Sequence, residues 1–314
     1  MAGTITHAYF AMDVFNKLDN NIKKNLSNYQ NNLRTFAQGH DIFDFTSGDG
    51  HLFHTKNTDK FFINLIKYTK EKELYNNGEI LSFIYGYICH YVLDKNIHPY
   101  VIYISGAYDK NRKKETKKYR CKHAEMETFL DCYMVKIKEK EKEKEFKSHK
   151  FCLEPNKFSK ELNDTIDYTF NKTYKLKNAS KKYYRGIKNM HFLYILLRND
   201  KHKIKYTMYK IVDKITPIGF YKFAPISFTY NDNLREYLNE YNEEWINPID
   251  LNEKNHTSFL EIYNNSIKEA TKIIKQVNDY FNNKDIDLTK VFDNSSFVTG
   301  RNCNIKTKPK YFKK

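Results

Sequence analysis

The sequence predicts an all-α protein. Three observations carry that expectation. Apolar residues recur at helical spacing in seven stretches, no alternating strand blocks with hairpin turns interrupt them, and only 10 Gly and 6 Pro punctuate 314 residues. The first predicted helix covers 7–18, where Phe10, Val14 and Leu18 fall four apart with Ala11 and Phe15 beside them. Residues 59–74 repeat the pattern through Phe61, Leu65 and Tyr68, with Phe62 and Ile66 as neighbours. The run 79–94 is apolar around most of its circumference and is expected to be buried. Pro99 disfavours helical geometry at His98, so that helix is expected to end there. Residues 123–146, 159–175, 180–198 and 256–281 supply the remaining helices. Between them, 106–122 carries eight basic residues and one acid from Lys110 to Lys122 and reads as an exposed loop. The Lys-Glu alternation at 138–145 places opposite charges at i,i+3 and like charges at i,i+4, as on a solvated helix end. The stretch 213–234, with Pro217, Gly219 and Pro225, reads as loop.

Composition narrows the class further. Apolar residues make up 40% and charged residues 29%, which excludes a disordered chain. The net charge of +16 favours anionic partners such as phosphate esters, nucleic acid or an acidic membrane surface. Lysine nevertheless outnumbers arginine 47 to 7, a bias of composition as much as of function. No apolar run approaches the roughly 18 residues of a membrane-spanning helix. The N-terminal stretch lacks a basic leader, and His7 and Asp13 interrupt its apolar residues. Five cysteines, odd in number and without a C-x-x-C pair, argue against a disulfide framework or a thiolate zinc site. A cytoplasmic setting is therefore expected.

Seven of the eleven histidines lie in the first 123 residues. His90-Tyr-Val-Leu-Asp94-Lys-Asn-Ile-His98 spaces imidazole, carboxylate and imidazole four apart, the donor types that suit zinc. His123-Ala-Glu-Met-Glu127 repeats the device one turn long. A single such pair is ordinarily a surface ion pair. Two pairs, the first inside an apolar helix where an unpaired His and Asp are costly to bury, favour a metal. His7, Asp41, His51 and His54 could complete the site, with Asp44 and Asp49 as rival carboxylates.

Read in order, T-H-A-Y-F-A, Q-G-H-D-I-F, F-H-T, G-Y-I-C-H-Y-V-L-D-K-N-I-H-P-Y and K-H-A-E-M-E-T-F-L-D carry a resemblance. Over roughly residues 4–135 the sequence resembles the zinc-dependent phospholipase C family, whose fold is shared with single-strand-specific zinc nucleases. The resemblance implies an all-α domain holding two or three zinc ions between helices. By position, His90, Asp94, Asp41 and His54 match one metal's ligands, with Asp94 bridging to a second ion and His51 an alternative to His54. His98, His123 and Glu127 match the second metal, and His7 a third. Secreted members complete the third site with a mature N-terminal amine, a feature this sequence does not display. The implied activity is hydrolysis of a phosphodiester such as a phospholipid head group, by water whose pKa zinc lowers toward about 7. Asp41 is the candidate general base.

Two alternatives remain open at this point. One is a nuclease or other phosphodiesterase, its lysines tracking a phosphate backbone. The other is a non-catalytic zinc-stapled helical binding protein. Residues 1–150 are expected to form the catalytic domain, with 151–314 a helical region packed on it as one unit.

Overall fold

In the computed structural model, residues 3–140, 146–197, 204–216, 223–228, 231–305 and 308–313 are described. In chain order they form α1 (Thr4–Lys17), α2 (Asn20–Leu26), α3 (Gln30–Phe36), a 3-10 turn (Gly39–Phe45), α4 (Gly50–Phe53), α5 (Thr58–Glu71), α6 (Gly78–Ser105), α7 (Lys113–Glu139) and α8 (Ser148–Cys152). There follow α9 (Lys160–Tyr174), α10 (Ala179–Leu197), α11 (Ile204–Ile215), the strands β1 (Trp245–Asn247) and β2 (Asp250–Asn255), α12 (Phe259–Phe281) and α13 (Leu288–Val291). The fold is all-α, as the periodicity predicts. No helix among the described residues is long and apolar enough to cross a membrane.

The axis of the protein is α6. Asn77 caps it by accepting hydrogen bonds from the backbone N–H of Glu79 and Ile80. Of its 28 residues, only Glu79, Lys95, Asn96 and Tyr103 escape full burial. A helix apolar on every side must be surrounded, and α1, α3, α7 and α12 surround it. The last of these starts at a capping box, Ser258 with Glu261, and lays Ile262, Ser266, Ala270, Ile273 and Val277 inward. One hydrophobic cluster takes in Ile5, Phe83, Ile166, Val277 and Phe297, residues from both sides of position 150.

Three expectations are corrected. First, α6 does not stop at His98. It continues through Pro99 to Ser105, because Tyr100, Val101 and Ile104 are core residues whose burial outweighs one missing hydrogen bond. The Lys95 carbonyl, which Pro99 cannot serve, is where the Gly300 backbone passes; a Cβ there would lie 2.7 Å from that oxygen. Second, residues 113–122 are not loop but the first turns of α7, with their charges on solvent-facing sides. Third, a two-stranded hairpin interrupts the helices at 245–255. Its strands are three and six residues long, and the second is mostly exposed and polar, so it carries no alternating signal. The segment 141–145, part of the Lys-Glu alternation, lies outside the described residues, as do 217–222 and 229–230 of the stretch read as loop, whose ends are helical instead, in α11 and in a 3-10 turn at Asp232–Leu238.

Candidate metal centre

The middle of α6 presents His90, Asp94 and His98 toward α1, α7 and the 3-10 turn. Helical spacing makes this possible, since residues four apart stack on one face. From the turn comes Asp41, and Gly39 lets that turn approach. Gly39 has φ +51°, and a Cβ on it would lie 2.1 Å from His90 Cδ2. His54 enters from the end of α4 with its Nδ1 donating to the Gly50 carbonyl at 2.6 Å, while His51 stays exposed. The structure thus brings His54, not His51, to the helix pair.

Four donors converge. His54 Nε2 lies 3.1 Å from His90 Nε2, 3.1 Å from Asp41 Oδ1 and 3.6 Å from Asp94 Oδ2. His90 Nε2 is 3.5 Å from Asp94 Oδ2 and 3.9 Å from Asp41 Oδ1. Two ligands of a tetrahedral zinc, each at about 2.0–2.1 Å, stand about 3.3 Å apart. These five separations, 3.1–3.9 Å, lie near that value, so the four donors are spaced closely enough to share one ion. With its Nδ1 proton committed to a carbonyl, a neutral His54 offers a bare Nε2 inward. Two imidazoles facing each other beside two carboxylates in a buried site are the donor chemistry of a cation.

A second group follows along α6. His98 Nδ1 donates to the Phe297 carbonyl at 2.6 Å and lies 3.9 Å from Asp94 Oδ2; its Nε2 is 4.0 Å from Glu127 Oε1. His123 Nε2 is 2.8 Å from that same Glu127 oxygen, and its Nδ1 is 3.3 Å from Ser105 Oγ. His98, His123 and Glu127 form one candidate metal set, and His7, Asp41, His90 and Asp94 another. His7 reaches the other oxygen of Asp94, Oδ1, at 3.1 Å. Asp94 belongs to the first group, and its Oδ2 is 3.9 Å from the His98 ring of the second.

The electrostatics follow from burial and these neighbours. Burial pushes the Asp41 carboxyl up to about 6 although His54 pulls the other way. Burial would lower His54, but Asp41 and Asp94 outweigh it and hold the imidazole above its ordinary value. His90 is held well below the usual histidine range, by burial first and by His7 and His54 in addition. Burial opposes ionisation of Asp94, yet His90 and His7 keep it well below the usual carboxylate range. Metal ligands need neutral imidazole and ionised carboxylate, which the surroundings already favour at His90 and Asp94, whereas Asp41 and His54 are tuned toward holding their protons.

A model of the zinc-dependent phospholipase C family matches residues 6–195. The chain belongs to that family. No curated protein and no solved structure gives a significant match. The match to the zinc-dependent phospholipase C family takes in all eight candidate ligands, from His7 to Glu127, and extends through α9 and most of α10.

Three features around this candidate site are not expected from the sequence. Asp131 on α7 accepts from Ile5 N at 3.1 Å, Thr6 N at 2.7 Å and Thr6 Oγ1 at 2.7 Å, capping the helix that carries His7. Its signal was present: His123, Glu127 and Asp131 continue one face at four-residue spacing. The Phe297 backbone was invisible, because a carbonyl has no sequence signature. His40 also defies its place beside Asp41. It packs among the rings of Phe53, Phe61, Tyr87 and Phe170 and 5.5 Å from the ring of His54, and neither of its nitrogens finds a hydrogen-bond partner. A separate cavity of about 340 Å³, lined by Lys95, Trp245, Glu253, Glu269 and Arg301 among others, contains none of the candidate ligands. Its charges pair internally, Lys95 with Glu269 at 2.7 Å and Arg301 with Glu253.

Proposed function

We propose that this protein is a zinc-dependent phosphodiester hydrolase of the phospholipase C type. His54, His90, Asp41 and Asp94 hold one ion. His98, His123 and Glu127 hold a second, with Asp94 shared and His7 braced against its outer oxygen or serving a third ion. Zinc bound there would acidify a water and neutralise charge on the phosphate oxygens. The protein's own side chains do the rest. Asp41, buried beside His54, orients the attacking water and accepts its proton. Burial of six of the eight ligands excludes bulk solvent, while the side chains of His123 and Glu127 keep 24% and 13% exposure and mark the side from which a phosphodiester enters.

The observation that carries this reading is the close spacing of the four buried donors around His54 and His90. Residues 151–314 work with 1–150 as one unit in this proposal, since the Phe297 carbonyl fixes His98. The proposal places the protein in a reducing, cytoplasmic setting, on the odd number of cysteines and their lack of a C-x-x-C pair. The experiment is elemental analysis of the purified protein with hydrolysis of phosphatidylcholine and of single-stranded polynucleotide, for the native chain, His90→Ala and Asp94→Ala. Two or three zinc ions and phosphatidylcholine hydrolysis, both lost in the variants, are expected. A variant with full zinc and full activity overturns the reading.

One observation favours the second reading, a nuclease: the first turns of α7, leading to His123, carry the exposed basic residues of 113–122. Salt-sensitive cleavage of polynucleotide with no action on phosphatidylcholine would establish it.

A further inference from the structure

The helix α11 is built inside out. Ile204, Met208, Ile211, Val212 and Ile215 recur at i, i+4, i+7, i+8 and i+11, a core-type stripe, yet they are 57, 57, 59, 39 and 79% exposed. Its one buried residue is an acid, Asp213, whose carboxylate accepts from Phe223 N at 2.7 Å and Ala224 N at 2.8 Å. The last turns of α10 do likewise, with Phe192, Ile195 and Leu196 all exposed. The two helices adjoin. Tyr209 Oη donates to the Leu196 carbonyl at 2.5 Å, and Lys205 Nζ to that of Ile195 at 3.4 Å. Phe192, Ile195, Leu196, Met208, Ile211, Val212 and Ile215 leave exposed apolar surface on two adjoining helices of a protein this polar, which calls for a partner.

Charge says which partner. Across α10 and α11 stand Lys181, Lys182, Arg185, Lys188, Lys205, Lys210 and Lys214, against a single acid, the buried Asp213. A second copy of the chain would bring the same cations to the same face and repel it. We propose that the exposed faces of α10 and α11 dock on an anionic phospholipid surface, inserting Phe192, Met208, Ile211 and Ile215 among the acyl chains while the lysines meet the head groups. The placement fits. Tyr194, between Leu193 and Ile195, hydrogen-bonds Thr4 Oγ1, three residues before His7 on α1. Docking therefore sets the lipid surface beside the end of the helix that carries a candidate ligand. This deepens the hydrolase reading and rests on it for its purpose, although its evidence is independent.

The test is co-sedimentation of the full chain with vesicles of phosphatidylcholine alone and of equimolar phosphatidylcholine and phosphatidylserine. The variants are Ile211→Asp/Ile215→Asp and Lys210→Glu/Lys214→Glu, with helicity checked by circular dichroism. Hydrolysis of a soluble diester, bis(p-nitrophenyl) phosphate, is followed in parallel. Native protein should prefer the anionic vesicles, and each double variant should lose about tenfold or more of that partitioning with soluble-diester hydrolysis unchanged. Equal binding by native protein and variants overturns the proposal. So does a native dimer in light scattering that the aspartates dissolve, with no vesicle binding. Soluble-diester hydrolysis without vesicle binding sinks the docking surface alone. Vesicle binding through this face with no hydrolysis upholds it while sinking the hydrolase reading.

Discussion

The carbonyl of Phe297 accepts the Nδ1 hydrogen of His98 at 2.6 Å, across 199 positions of sequence. The N–H of the same residue donates to the His54 carbonyl at 2.9 Å. One residue near the C-terminus thus orients a candidate ligand of one metal set and anchors the backbone of another. Carbonyl acceptors behind ligating imidazoles fix the tautomer and the ring plane.

Two substitutions separate the roles of Phe297. Phe297→Ala keeps both backbone hydrogen bonds but removes a ring packed 5.2 Å from His54 and 5.0 Å from Tyr91. It should cost about 3–5 kcal/mol in urea unfolding and leave zinc stoichiometry intact. Phe297→Pro removes the donor to His54 and should weaken zinc by roughly 10–100-fold against a chromophoric chelator. Equal zinc affinity in the two variants would remove the backbone from this account.

Asp131 holds the first turn of α1 through three hydrogen bonds, and burial pushes its carboxyl up to about 7 although those bonds pull it down. A carboxyl whose folded pKa lies above its unfolded value favours the folded state when protonated. Its contribution is full below about pH 4 and declines as pH rises toward about 7. Asp131→Ala should therefore destabilise the zinc-free protein by about 1–2 kcal/mol at acid pH and by less at alkaline pH. Urea unfolding with chelator at the two pH values checks the sign; a penalty that grows with pH would contradict it.

Zinc binding should release protons. In the metal-free protein Asp41 titrates up at about 6 and His54 holds its proton above the ordinary histidine value, so both must give one up. Apparent affinity should fall by about tenfold or more as pH drops through about 6. Calorimetry in buffers of different ionisation enthalpy reads the protons directly. No buffer dependence would mean that these two groups are not the ligands.

His40 is a buried imidazole with no hydrogen-bond partner, and burial holds its pKa well below the usual range. His40→Leu should stabilise the fold by about 1 kcal/mol and leave zinc content unchanged, because an apolar side chain relieves an unpaired polar group. Loss of zinc in this variant would place His40 in the centre.

Much of the candidate site is legible in the sequence because helices make chemistry periodic. His90 and Asp94, and His123 and Glu127, share faces by spacing alone, and the apolar run around the first pair signals burial. Pro99 misled because its local preference was real but small beside the burial of Tyr100, Val101 and Ile104. The stripe on α11 is a sharper case. No helix is expected over 204–215, and only the tertiary structure shows one there, with its apolar stripe facing solvent.

By itself, then, the sequence determined the helical class, the candidate ligand pairs one turn apart and the positive charge, all of which are local or compositional properties. The tertiary structure decided that His54 rather than His51 meets His90, that Asp131 caps α1 and that Phe297 stands behind His98. These depend on backbone groups and on contacts across tens to hundreds of residues. Such contacts are fixed by how the helices pack around α6, and no pattern along the chain encodes them.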